Sequence, residues 1–267
     1  MLQQSDAEVI VVSYGCEQGT AEWIRRDYPS VTLIDVTDDP IFCVARARNI
    51  GASHAKHPLL AFVDADIMLN GTIASWIKTV PTEPIYFAHG PSIWNYAGFV
   101  ICTKAAFEAV EGFDEAFRGW GHEDSDFIER LDQAGYRRAP VPTDFLTAIP
   151  HGNRERQIGP GSGGFSTLFE ALYLGEFYRR VKADILRITG RPLALEARIN
   201  LMNAIKLAAQ SALQQGNKEM VLTCGLGSGH FNDRGLRADT DVVYRLSIEP
   251  LTKASPQSYH RGEAQAC

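Results

Sequence analysis

The chain of 267 residues carries a formal net charge of -6 and a sequence pI of about 5.7, which excludes a broad electrostatic attraction to nucleic acid or to an anionic membrane. With 45% hydrophobic and 22% charged residues its composition is that of a globular protein. The length allows one large α/β core, with or without a small appendage, and needs no covalent staples.

The opening Met-Leu-Gln-Gln-Ser-Asp-Ala-Glu has no basic region ahead of an apolar run, so no signal peptide is expected. Val9 to Val12 is a short β-branched run that reads as a buried strand. Thr20 to Tyr28 is helical in pattern and stopped by Pro29. A second strand is expected over Val31 to Val36, closed by Thr37-Asp38-Asp39-Pro40, then a helix from about Val44 to Lys56. Leu59 to Val63 is a third, wholly apolar strand ending at Asp64-Ala65-Asp66. Strand, helix, strand, helix, strand at this spacing predicts a parallel sheet covered on both faces.

Ile85 to His89 and Ala97 to Cys102 read as further strands, and Lys104 to Val110 as a helix. Phe127, Ile128, Leu131 and Ala134 fall at helical spacing, with Gly135 as the expected C-cap. Pro140 to Pro150 reads as a loop with a short extended piece, ending at His151. Gly159-Pro160-Gly161-Ser162-Gly163-Gly164 reads as a linker or mobile loop. Two helices are expected beyond it, Phe165 to Thr189 and Leu193 to Gln215, then loops with one strand near Val242 to Ile248. The five cysteines, Cys16, Cys43, Cys102, Cys224 and Cys267, form no CxxC pair, so reduced thiols are expected rather than zinc ligands or disulfides. No apolar stretch approaches the roughly 20 residues that span a bilayer. A cytoplasmic location is therefore expected, with contact at a membrane surface left open.

Asp64 and Asp66 stand at the carboxyl end of an apolar strand, the edge where open α/β sheets bind ligands. If the chain stays extended, period-two geometry points both carboxylates to one side. Two hard oxygen ligands suit Mg2+ or Mn2+, with phosphate oxygens completing the shell. Asp-x-Asp pairs also occur as loop caps and solvated turns.

Ala47-Arg48-Asn49-Ile50-Gly51, then Ala55, then Leu60-Ala61-Phe62-Val63-Asp64-Ala65-Asp66 resembles the donor half of GT-A glycosyltransferases of the family-2 type. Tyr96-Ala97-Gly98, Phe107, Gly112-Phe113-Asp114-Glu115 and Gly119-Trp120-Gly121-His122-Glu123-Asp124-Ser125-Asp126 is similar to the acceptor half of galactosyltransferase-type enzymes. The resemblance covers roughly residues 8 to 155, in the right order. It implies a GT-A fold, an α/β architecture with a mostly parallel central sheet flanked by helices, followed by a C-terminal helical extension. The implied division is a catalytic domain over 1–158, with donor half about 1–90 and acceptor half about 91–158, and an extension over 159–267.

Carried over position by position, the resemblance implies Asp66 as metal ligand, Asp64 against the metal or the donor ribose and phosphate, and His151 completing the metal site. It implies Asp124 as catalytic base, Glu123 contacting acceptor or donor sugar, Arg48 on the donor nucleotide, and Tyr14 and Asp35 around uridine. Trp120 is a natural platform for a sugar ring; Trp94 and Tyr96 read as acceptor-cleft lining, with a core role the alternative. His122 departs from the small residue often found at its position.

Bland readings stand beside these. Acids at a helix start meet the macrodipole and cap free amides, so Glu123 to Asp126 also fits a purely structural role. His151 also fits a surface histidine. His89 reads as structural. Arg46 and Arg48 do not share a helix face, so Arg48 is expected at phosphate and Arg46 in solvent. Tyr178-Arg179-Arg180-Val181-Lys182 reads as a solvated basic face, with a membrane surface or lipid-linked acceptor the sharper alternative.

The expected function is metal-dependent, inverting transfer of a hexose or N-acetylhexosamine from a UDP-sugar, using Mn2+ or Mg2+. The acceptor hydroxyl belongs to a glycan, a lipid-linked sugar, a peptide or a small molecule. The alternatives are a retaining N-acetylgalactosaminyltransferase-like enzyme, a non-catalytic sugar- or nucleotide-binding domain, and a nucleotidyltransferase, whose Gly-rich basic loop Ser13 to Glu17 lacks. No nucleic-acid partner is expected, and homodimerisation stays open.

Overall fold

The computed structural model of the chain describes residues 7–71, 73–89, 96, 98–118, 121–150, 168–217, 219–231 and 236–247. The chain divides into two compact units, residues 1–202 and 203–267.

In the first unit β1 (Ile10–Tyr14) pairs in parallel with β2 (Thr32–Val36), and α1 (Thr20–Asp27) is the crossover between them. The helix α2 (Val44–His54) starts at Cys43, whose Sγ accepts the Arg46 amide at 3.4 Å. β3 (Leu59–Phe62) enters the turn holding Asp64 and Asp66, then come β4 (Ile67–Leu69), α3 (Ile73–Ile77), β5 (Ile85–Ala88), β6 (Val100–Thr103) and α4 (Lys104–Ala109). After α5 (Glu123–Gln133) the chain forms β7 (Arg137–Ala139), a 3-10 turn, β8 (Leu146–Ala148) and α6 (Leu168–Thr189).

β3, β6, β5 and β7 form one sheet in that order, while β4 pairs with β8. The expected α/β class holds, but the expected mostly parallel sheet does not describe these strands. Parallel pairing occurs at β1/β2 and β5/β7, and β3 pairs antiparallel with β6 rather than beside β1. A strand's apolar run reports burial and not the direction of its neighbour, so the antiparallel pairing leaves no mark in that pattern.

Period-two alternation gives the four-stranded sheet two apolar faces. Leu60, Phe62, Tyr86, Ala88, Val100 and Cys102 meet Phe113, Phe127 and Leu131 on one face. Ile85, Phe87, Phe99 and Ile101 meet Ile67, Ile73, Val141 and Leu146 on the other. The first face is locked by aromatics: Phe113 stacks on Phe127 at 4.2 Å, and Phe62 meets Phe113 edge-on at 5.0 Å.

The helix expected from Phe127 begins four residues earlier, at Glu123, so the acids of the motif lie inside its first turn. It ends as expected at Gly135, which has φ 89°, and Tyr136 N–H bonds the Leu131 carbonyl at 3.1 Å. That is a Schellman closure, and its left-handed residue favours glycine.

The helix α7 (Leu195–Gln214) begins in the first unit and ends in the second. The second unit then forms a hairpin of β9 (Glu219–Phe231) and β10 (Leu236–Ser247), with a register shift at Thr240/Asp241. The sequence predicts loops and a single strand here. Gly225, Gly227 and Gly229 weaken the strand signal of β9, yet Met220, Leu222 and Cys224 alternate inward. The described cysteines, Cys16, Cys43, Cys102 and Cys224, are free. Among the described residues no helix is long and apolar enough to cross a membrane.

Candidate active site

Arg48, in α2, links the turn after β3 to the head of α5. Its Nη2 donates to Asp64 Oδ1 at 2.6 Å and its Nη1 to Glu123 Oε1 at 3.3 Å. The guanidinium also lies 4.9 Å from the Phe113 ring centre, a cation–π contact that favours charge in a desolvated place. The Arg48 side chain is 10% exposed, that of Glu123 9% and that of Asp64 36%. Glu123 Oε2 is buried with no hydrogen-bond partner among the described residues. Burial, reinforced by the charge of Asp124, pushes the Glu123 carboxyl up to about 7 against the opposing pull of Arg48.

Gly98 explains how Arg48 and Asp64 meet. A Cβ at this position would lie 2.0 Å from Asp64 Oδ2 and 2.8 Å from Arg48 Nη2, so only a glycine lets the backbone run against the pair. A cleft of about 610 Å3 has Arg48, Asp64 and Ala65 among its lining residues, with apolar walls that include Val12, Leu60 and Ile73. An apolar recess with a few convergent polar groups is the usual form of a small-molecule site.

The start of α5 holds Glu123 and Asp124 in one turn, after a left-handed His122 with φ 70°. Asp124 is half-buried, and its Oδ1 accepts the Ser125 amide at 2.6 Å. His122 sits against α6, with Nδ1 3.8 Å from a Glu176 carboxylate oxygen. Asn49 braces the preceding loop, donating to the Phe113 carbonyl at 2.9 Å and accepting its amide at 2.8 Å.

A second polar cluster forms around Asp39, after β2. Its Oδ2 accepts from Tyr14 hydroxyl at 2.5 Å, Arg46 Nη1 at 2.9 Å and Arg118 Nη1 at 2.6 Å. Burial, then the hydrogen bond to charged Asp39, pushes the Tyr14 phenol up to about 12. Burial opposes the Asp39 charge, but the bonds from Tyr14, Arg118, the Ile41 amide and Arg46 outweigh it and hold the carboxyl well below its usual range. Arg46, expected in solvent, is thus engaged, also reaching Asp38 at 3.2 Å. Asp35 lies outside this cluster, 3.5 Å from Arg25.

Asp64 and Asp66 do not lie on extended chain. β3 stops at Phe62, and a turn follows in which the Ile67 amide bonds the Asp64 carbonyl at 3.0 Å. The period-two placement of both carboxylates therefore does not apply. Two hard carboxylates in one turn still suit Mn2+ or Mg2+ as a donor set. Among the described residues no three of His, Cys, Asp and Glu gather to hold a metal, and His151 lies outside those residues, as do Trp94, Trp120 and the glycine-rich loop. Tyr96, expected in the acceptor cleft, packs into the second core cluster, and its hydroxyl bonds the Leu146 carbonyl at 3.1 Å. His89 is buried beside it, its ring centre 5.5 Å away, and burial lowers its pKa.

Sequence reasoning missed Asp39, Arg118 and the steric role of Gly98 as site residues. Asp39 and Arg118 flank motifs without belonging to them, and Gly98 carries no chemistry of its own.

Residues 87–152 match the family model for the N-terminal domain of galactosyltransferase, the segment that contains Asp114, Glu123 and Asp124. Among solved structures the chain is similar to the catalytic domain of Drosophila β1,4-galactosyltransferase 7 in complex with xylobiose, at 14% identity, 90% of this chain, 94% of that chain and TM-score 0.45. It is similar to the mannosyltransferase PcManGT of Pyrobaculum calidifontis with GDP-Man and Mn2+, at 18% identity, 80% of this chain, 71% of that chain and TM-score 0.45. It is also similar to S. aureus TarS 1-349 in complex with UDP, at 14% identity, 80% of this chain, 65% of that chain and TM-score 0.48. The match over residues 87–152, on a mixed α/β fold, supports a glycosyltransferase.

Proposed function

We propose that the chain transfers a hexose or N-acetylhexosamine from a UDP-sugar to an acceptor hydroxyl with inversion, within a GT-A architecture. The observation that carries this is the bridge Asp64–Arg48–Glu123, which joins the acid at the end of β3 to the head of α5. Asp64 and Asp66 would hold Mn2+ or Mg2+, which when bound neutralises charge developing on the diphosphate leaving group. Arg48 holds Asp64 and Glu123 in register. Glu123 Oε2, buried and unpaired among the described residues, is an oxygen awaiting a partner, as a sugar hydroxyl would be. Asp124, beside it and more accessible, takes the proton of the attacking hydroxyl, which requires hydrogen-bond reach of that oxygen. The cleft beside Arg48 and Asp64 receives the donor, and the cluster around Tyr14 and Asp39 shapes the loop after β2 near it.

The test is UDP release from a panel of UDP-sugars with Mn2+, Mg2+ or EDTA, water standing in for the acceptor. Metal-dependent release from one donor supports the reading and names the sugar. If there is neither release nor UDP binding by calorimetry, the reading is wrong.

A further inference from the structure

A set of buried charges runs from the Gly112-Phe113-Asp114-Glu115 segment to α6. Asp114 is wholly buried. Its Oδ2 accepts from the Tyr178 hydroxyl at 2.8 Å and Lys182 Nζ at 2.7 Å, and its Oδ1 accepts the Ala116 amide at 3.1 Å and lies 3.4 Å from Arg198 Nη1. Lys182 Nζ also donates to Asp126 Oδ1 at 2.5 Å, while Arg130 Nε holds Asp126 Oδ2 at 2.9 Å. The basic run expected on a solvated face is therefore mostly docked. Tyr178 and Val181 are fully buried, the Lys182 side chain is 15% exposed, and Arg179 pairs with Glu129 and Glu176. Arg180 alone of the run keeps a side chain open to solvent, at 74% exposure.

The head of α5 needs such an anchor. His122 makes no side-chain cap there, and a helix start without one relies on other contacts for its order. Three acids, Glu123, Asp124 and Asp126, crowd the first turn; the helix dipole favours them, but they repel one another. Asp126 shares that turn with both proposed transfer residues, and Lys182 holds it from a different helix.

We propose that Lys182 is a positioning residue: clamped between Asp114 and Asp126, its ammonium pins the first turn of α5 and sets where Glu123 and Asp124 stand. The proposal rests on the reading of Glu123 and Asp124 as transfer residues. It makes α6 part of the catalytic unit rather than an appendage.

The test uses the full chain with Lys182→Met and Lys182→Arg, following UDP-sugar turnover with Mn2+ and amide hydrogen exchange. Lys182→Met is expected to lower kcat by about 10- to 100-fold with little change in the donor KM, as an angstrom-scale displacement of reacting groups does. Exchange over residues 121–128 should accelerate about tenfold while β3 and β6 keep their protection, the mark of local rather than global opening. Lys182→Arg should recover much of both. Unchanged exchange at 121–128, or acceleration shared equally by β3 and β6, overturns the proposal. If Lys182→Met does not fold, Asp126→Ala releases the turn from both Lys182 and Arg130 while leaving Asp114 paired with Lys182, and it is read against Arg130→Met, which spares the Lys182 contact. A wild-type chain that turns over no UDP-sugar overturns the transferase reading, and the exchange pattern then decides the anchoring by itself.

Discussion

Gly98→Ala separates the site from the fold. The new Cβ would stand 2.0 Å from Asp64 Oδ2 and 2.7 Å from its Cγ, where real Cβ contacts do not fall below 3.0 Å. The carboxylate must therefore retreat by about 1 Å or more, a displacement on the scale that costs roughly 100-fold in a preorganised site. The cost to folding is smaller. Overpacking costs about 1–3 kcal/mol, and Asp64 is a flexible side chain that is 36% exposed, which favours the lower end. About 1 kcal/mol in a unit of this size lowers Tm by roughly 2–4 °C. The expected result is a small Tm loss by circular dichroism, with Mn2+-dependent UDP affinity falling about 100-fold, or ~2.7 kcal/mol, by calorimetry. Native UDP affinity in the alanine variant would refute the placement of the donor beside Asp64.

Three further outcomes follow from the same geometry. Asp66→Ala should abolish Mn2+-dependent UDP binding with an unchanged far-ultraviolet spectrum; undiminished affinity in Mn2+ would remove Asp66 from the metal site. Asp124→Asn should lower kcat by about 10²–10⁴-fold, the usual worth of a general base, and spare donor KM; survival of turnover within a few-fold places the base elsewhere. Glu123 binds its proton more tightly folded, near 7, than at its ordinary 4.5, so its contribution to stability is full below 4.5 and lost as pH rises through about 7. Glu123→Gln should therefore flatten the change in Tm with pH across that window, and an unchanged profile would show that this carboxyl does not titrate there.

What the sequence made legible was local and strongly patterned. The apolar runs at β1, β2, β3 and β5, the Pro29 and Gly135 stops and the two long helices all appear close to where their periodicity predicts. β4, β7 and β8 are three residues each, too short for a period to show. The sheet's antiparallel pairing depends on which strand finds which, and no single run carries that. At the site, Arg48, Asp64, Glu123 and Asp124 were named by motif, and the bridge through Arg48 gives three of them a shared geometry. Arg46 and Lys182 were misjudged for one physical reason: a cation looks solvated until its partner is known, and the partners Asp39, Asp114 and Asp126 are fixed by tertiary packing. Tyr96 was expected in the cleft with a core role as the alternative, and its hydroxyl meets the Leu146 carbonyl within the second core cluster.

The clamp of Lys182 on Asp114 spans 68 positions of chain, and that distance bears on heredity. A buried carboxylate left without its cation is costly, whereas losing both charges together is often tolerated. Arg198 stays 3.4 Å from Asp114 and Asp126 stays beside Lys182, so a change at one position weakens the neutralisation of the other without removing it, and the two positions are coupled in how far each drifts. Recombination between diverged relatives at a junction inside that interval would pair one parent's acid with the other's helix. Such chimaeras should keep the parents' stability where the two agree at both positions, and lose some of it where they differ at one.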